Sequence, residues 1–182
     1  ERGAQFRRSI PYRPASNRLA EGWQQALEAA VRAIMGHAGV PATFWGYACV
    51  FAAYCMANSP DKRSAVDGKV PHERFYGEPN RHYQAVPFGC RAAFLLEREE
   101  REKFGSPTRQ GVVLGHAQMG AFHVLDVETF RQSGFVSVRT TRDVHLDFTQ
   151  FPCRDLVGVV PLSATAWTLS RQFYADVGVR AA

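Results

Sequence analysis

Long hydrophobic runs are missing: no window of the 182 residues holds the roughly 18 consecutive apolar residues that a membrane-spanning helix needs, so no membrane partner is expected. Cysteine is sparse. The four residues Cys49, Cys55, Cys90 and Cys153 include no CxxC pair, which leaves a disulfide framework or a zinc site without supporting spacing. His37, His72, His82, His116, His123 and His145 are scattered, so no metal site is read from them. The sequence also lacks GxSxG, P-loop and GxGxxG motifs, which removes the usual grounds for nucleophilic or nucleotide-dependent catalysis. Acids are absent near the start, where the first after Glu1 is Glu21. The chain opens without Met, which points to further sequence upstream, processed away or part of a longer polyprotein.

At 46% hydrophobic and 21% charged, the chain can bury a core as one ordinary domain or two small ones. The net charge of +5 and a pI near 9.3 favour a polyanionic partner. Its placement says more: Arg2, Arg7, Arg8, Arg13 and Arg18 face only Glu1 within the first 18 residues. These arginines are the candidate phosphate contacts; the alternative is a solvated tail.

Along the chain, Ser9 to Pro14 carries two prolines that favour an extended backbone. Ser16 or Asn17 can cap a following helix whose apolar stripe is Leu19, Trp23, Leu27, Val31 and Ile34, with Gly36 as its stop. Glu21, Gln25, Glu28 and Arg32 share the opposite, polar strip. A second helix runs from Thr43 to Pro60 and is apolar almost all round, so Trp45, Phe51 and Tyr54 are candidates for an interface with another subunit. Residues 61–85 read as an extended connector rich in turn formers. Five β-type runs follow, Val86–Leu96, Gly111–His116, Ala121–Asp126, Val136–Arg142 and Val144–Phe148, and predict a small antiparallel barrel or sandwich. Glu97 to Lys103 is a solvated loop or helical turn. The tail, 151–182, has an apolar run at Leu156–Leu162 and helical character over Ala166–Val177.

The order of these blocks resembles the integrase portion of copia-type LTR retrotransposon Pol polyproteins. Ile10-Pro11-Tyr12-Arg13-Pro14 through Asn17 to Glu21 resembles "PYxPxxNGxxER", and Pro41-Ala42-Thr43-Phe44-Trp45 with Tyr54 and Asn58-Ser59-Pro60 resembles "LPxxFW…A.Y..N..P". Val70 to Pro79 stands where these elements carry "TPxExxxGxxP", and Val86-Pro87-Phe88-Gly89-Cys90 is similar to "VFGC". Gly111 to His116 resembles "GxFLGY", and Thr141 to Asp147 resembles the closing "SRDVxFxE".

The resemblance implies an α+β chain: residues 1–60 as the end of an RNase-H-like integrase core, 61–85 a connector, 86–150 a small β domain and 151–182 a tail. It also implies that Glu21 corresponds to the third carboxylate of a catalytic trio, whose two aspartates lie upstream in the family and share divalent metal ions with it. Two hard cations need several carboxylate oxygens. One Glu cannot supply them, so no cofactor is expected, and magnesium only if an upstream half is present. This sequence also departs from the pattern, with Arg18 where the motif has Gly and Gly22-Trp23-Gln24-Gln25 where it carries a basic residue and Asn.

The expectation is a catalytically incomplete, retroelement-derived, domesticated protein acting as a nucleic-acid-binding or structural subunit, with RNA slightly favoured over DNA and other protein subunits as partners. An organellar ribosome is one host that fits, which would place the chain in a mitochondrion or other organelle. The alternatives are a fragment of an active integrase performing metal-dependent strand transfer in a nucleus, and a protein-interaction module without nucleic acid.

Overall fold

A computed structural model describes residues 18–156. The expectations placed on Arg2, Arg7, Arg8 and Arg13, and on the tail beyond residue 156, lie outside the described residues.

The first helix, α1 (Arg18–Ala38), follows its apolar periodicity. Only its second half packs: Val31 and Ala38 are buried and Leu27, Ala30, Ile34 and Met35 join the same cluster, while Leu19 and Trp23 stay exposed. Gly36 is not its stop. The helix runs on to Gly39, whose φ of 66° is the left-handed conformation that glycine adopts freely. There Arg154 donates through Nε to the His37 carbonyl at 2.7 Å and lays its guanidinium 4.7 Å from the Phe151 ring centroid. A cation thus closes the negative end of the helix.

After a 3₁₀ turn (Ala42–Phe44), α2 (Trp45–Asn58) turns Ala48, Phe51 and Ala52 inward. The connector differs from the expected extended form. It holds two short helices, α3 (Ser64–Asp67) and α4 (Pro71–Tyr76), tied together because the Arg74 guanidinium reaches Asp61 and Asp67, each at 2.8 Å. A long side chain with a planar fork lets sequence-local charges organise a segment that periodicity cannot recognise. The Asp67 carboxyl is held at about 2, first by this Arg74 hydrogen bond and then by the Lys69 N–H.

All five β-runs form strands: β1 (Arg91–Leu95), β2 (Thr108–His116), β3 (Phe122–Asp126), β4 (Val138–Thr141) and β5 (Val144–Asp147). They make one antiparallel sheet in the order β4-β3-β2-β1-β5. The mixed helix-and-sheet class is as expected. A closed barrel or a two-sheet sandwich is not, because β4 and β5 form no ladder. These edge strands are nevertheless joined by Arg142 and Asp143 alone. In a flat sheet the two edges would stand about 19 Å apart, further than the roughly 11 Å the link can span. The sheet must therefore curl strongly.

The curl gives each face its own core. The inner face buries Ala92, Phe94, Val113, Phe122 and Val124, while the outer face presents Val112, Leu114 and Leu125 to α1 and α2. Gly111 on β2 has no room for a side chain: a Cβ there would fall 2.4 Å from Val124 Cγ1 and 2.7 Å from the Leu125 carbonyl oxygen. A short helix, α5 (Val127–Ser133), is capped by Asp126, and Glu97–Lys103 contains a 3₁₀ turn (Arg98–Glu100), one of the two forms expected for it. No helix among the described residues is long and apolar enough to cross a membrane.

Candidate functional site

Arg18 is the first described residue, exposed at the start of α1. Glu21 sits one turn further on, also exposed, where a carboxylate interacts favourably with the positive end of the helix. Among the described residues it has no carboxylate companion: the next acid on α1, Glu28, is two turns away and accepts from Gln24 at 3.1 Å. No group of three His, Cys, Asp or Glu side chains among the described residues is placed to hold a metal ion. The donor set around Glu21 therefore does not fit a pair of magnesium ions.

The arginines divide into two populations. Arg74, Arg109 and Arg139 are engaged by carboxylates: Arg109 reaches the fully buried Asp126 at 2.9 Å, and Arg139 grips both oxygens of Glu100 at 2.6 and 2.8 Å. Burial pushes the Asp126 carboxyl up, but the Thr129 N–H and the Arg109 guanidinium outweigh it and hold the group below the usual range. Arg18, Arg32, Arg63, Arg81, Arg98, Arg131 and Arg142 are exposed and form no ion pair among the described residues. Among the described arginines, this second population offers guanidinium groups that no carboxylate holds.

The three aromatic interface candidates on α2 are treated differently by the fold. Trp45 is 47% exposed, Phe51 is 4% exposed against Phe88 with centroids 5.3 Å apart, and Tyr54 is half-buried. Tyr54 belongs to a ring cluster that sequence reading missed. His116, from the end of β2, lies 4.7 Å from Tyr54, 5.2 Å from Phe122, 5.5 Å from Phe51 and 5.9 Å from Tyr83. Its Nε2 stands 2.8 Å from the Gln84 carbonyl oxygen, which can only accept, so the ring proton is on Nε2. Burial lowers the affinity of His116 for a second proton, opposed by that hydrogen bond, and burial likewise lowers that of His123.

Beside this cluster opens a groove of about 830 Å³ between α2 and the end of the sheet. Tyr47 and Tyr54, seven residues apart on α2, form one wall; His116, His123 and Thr140 come from three neighbouring strands; Asn80, His82, Gln118 and Met119 supply the rim. Asn80 donates to the Tyr54 hydroxyl oxygen at 2.8 Å, leaving the tyrosine proton for another acceptor. The Tyr47 spacing to Tyr54 was a visible signal. The histidines were not, because their proximity depends on strand register.

Cys90 and Cys153 are buried thiols pushed up to about 12 and about 11 respectively by burial, which argues against a thiolate nucleophile at either position.

Among curated proteins, the chain is 26% identical over 145 residues to each of two retrovirus-related Pol polyproteins of Arabidopsis thaliana, from transposons RE2 and RE1, an alignment covering 79% of this chain. It is 25% identical over 114 residues, 63% of this chain, to the corresponding polyprotein from transposon TNT 1-94 of Nicotiana tabacum. The aligned segments amount to 9%, 9% and 8% of those relatives' lengths. No protein-family model matches the chain, and no solved structure matches it. The relatives are copia-type Pol polyproteins, the group to which the motif order pointed.

Proposed function

We propose that this chain is a retrotransposon Pol-derived scaffold that binds nucleic acid through its arginines and does not by itself assemble a phosphoryl-transfer centre. The isolation of Glu21 carries this reading. In-line displacement at phosphorus needs charge on both the attacking and the leaving oxygen, and a lone carboxylate on a solvated helix cannot fix two cations there. What α1 and α2 retain of an RNase-H-like core is then a packing unit, with the polar strip of α1 left to solvent.

The binding half of the proposal rests on charge. Arginine engages phosphate without reading bases, and its grip falls steeply with salt because counterions are released. The first 18 residues hold five arginines against one acid, a density that suits an arm lying along a nucleic-acid backbone, with RNA favoured slightly over DNA. The organellar ribosome is one nucleoprotein assembly that would employ such a subunit. Trp23 and Trp45, 52% and 47% exposed, supply a specific reason to expect a protein partner as well.

The test separates binding from cutting. The 182-residue chain should be retained on a polyanion column at low salt and eluted as salt rises, yet should fail to join DNA ends with magnesium or manganese present. Metal-dependent joining by this material would overturn the scaffold reading in favour of strand transfer; no retention at any ionic strength would favour a protein-interaction module instead.

A further inference from the structure

At His116, the end of β2 meets α2, β3 and the last residues of the connector. The ring stacks on Phe51 at an interplanar angle of 19° and packs against Tyr54, Phe122 and Tyr83. Its Nε2–H donates to the Gln84 carbonyl oxygen, so the connector is tied to the sheet by a hydrogen bond as well as by ring packing. The other ring nitrogen differs. Nδ1 is buried and has no hydrogen-bond partner, and in this tautomer it is an acceptor. A neutral acceptor left unpaired costs little beside an unpaired N–H on a buried cation. The neutral ring therefore fits this place and the imidazolium does not.

Nothing around the ring offsets a charge on it. The titratable groups that face His116 or share its groove are Tyr47 and Tyr54 from α2, His82 and Tyr83 from the connector, and His123 from β3, with Cys55 of α2 bonded to Tyr83. Burial raises both the Cys55 thiol and the Tyr83 phenol, so these two stay neutral through the acid range. Among the described residues no Asp, Glu, Lys or Arg lines the groove.

The segment that His116 holds, residues 80–84, lies between two fixed points. Before it the Arg74 network ties α3 to α4, and after it Val86 and Phe88 are buried. Within the segment, the His82 and Tyr83 N–H groups turn back to Asn80. Asn80 and Tyr83 bind it to α2, through Tyr54 and through Ser59 and Cys55. Its hydrogen bond to the sheet, among the described residues, is the one from His116.

We propose that His116 is an acid-released fastener: its neutral ring holds residues 80–84 against the sheet, and a second proton at Nδ1 lets that segment lift while the strands stay paired. Asn80 and His82 form part of the rim of the groove of about 830 Å³, so the opening of that groove becomes a function of acidity. The direction follows from the two states. A lifted segment leaves an ordinary histidine that charges near pH 6.5, whereas burial, opposed by the Gln84 hydrogen bond, makes the fastened ring charge at lower pH. The fastening is therefore at full strength above about pH 6.5 and weakens as the pH falls from there towards the fastened value. It needs no ligand and stands apart from the nucleic-acid reading of the preceding section.

The experiment follows the full chain by NMR, reading the titration of the His116 ring and amide hydrogen exchange corrected for the intrinsic effect of pH. The ring should charge below the ordinary histidine range and carry its proton on Nε2 at neutral pH. Opening at the His82 and Tyr83 amides should rise by about three- to thirtyfold between about pH 7.5 and pH 5, the ceiling being set by the distance of the lower pH from 6.5. Over the same range the amides of Val113 and Asp126, which pair with Cys90 and Ser137, should keep their protection. In His116→Gln, which cannot charge, the rise should vanish; in His82→Gln and His123→Gln it should persist. The ring titration needs no substitution, so it decides even where His116→Gln fails to fold. Overturning results are a His116 ring that charges at or above pH 6.5, opening that ignores pH, a rise shared equally by Val113 and Asp126, or a rise in His116→Gln equal to that of wild type.

Discussion

At the level of single residues, Asp126 shows how a charge can be placed in the interior. It is fully buried at the end of β3, where its side chain accepts from the Thr129 N–H at 3.1 Å and from Arg109 at 2.9 Å, so one carboxylate both caps α5 and neutralises a cation. Removing it would leave Arg109 with only the exposed Glu128 at 3.3 Å and the first turn of α5 uncapped. Asp126→Ala is expected to cost roughly 3 kcal/mol in urea unfolding at neutral pH. The sign with pH follows from the shift. The folded-state carboxyl lies below its unfolded value, so its stabilisation is complete above about pH 4 and declines as pH falls through the folded value. The gap between wild type and Asp126→Ala should accordingly narrow on acidification from pH 5 to pH 2. A gap that stayed constant would mean that the packing of the side chain matters and its charge does not.

Among the elements, α1 tests which glycine ends a helix. Gly36 has ordinary helical φ and open space around a hypothetical Cβ, whereas Gly39 combines φ of 66° with Arg154 backbone atoms 2.9 and 3.0 Å from that position. Gly36→Ala should therefore stabilise the protein by about 0.5–1 kcal/mol, by removing unfolded-state freedom from an exposed helical site. Gly39→Ala should destabilise it by about 2 kcal/mol, from the left-handed backbone and the displaced Arg154. Denaturant midpoints moving in opposite directions would confirm the assignment; equal shifts would contradict it. The same pair shows what the sequence could reveal. Short β-type runs punctuated by turn residues located all five strands; alternation is clean in β1, with Ala92 and Phe94 on one face and Arg91 and Ala93 on the other, but not in β2, where Val112, Val113 and Leu114 are buried in succession. Helical periodicity located α1, and a run that is apolar almost all round located α2. The stop of α1 was hidden because it depends on Arg154, more than a hundred positions away. The folding of the connector was hidden because it depends on Arg74 reaching Asp61 and Asp67, and the groove because β2 and β3 must first fall into register to bring His116 and His123 to one end of the sheet.

For the molecule as a whole, charge placement decides how it can meet a polyanion. Internal carboxylates engage Arg74, Arg109 and Arg139, so those three cations stabilise the fold and release few counterions on binding. The remaining candidates are the scattered exposed arginines and the sequence cluster Arg2, Arg7, Arg8, Arg13 and Arg18, which accounts for most of the +5 net charge once Glu1 is subtracted. If the cluster is the footprint, each arginine contributes about 0.7 to the slope of log affinity against log salt for a single strand. Changing Arg2, Arg7, Arg8 and Arg13 to Ala together should thus flatten that slope by about 3. Anisotropy of a labelled single strand between about 50 and 200 mM salt reads this slope in both proteins. A slope that stays put would move the footprint from the arm to the body, where the exposed arginines outside ion pairs among the described residues include Arg18, Arg32, Arg63, Arg81, Arg98, Arg131 and Arg142.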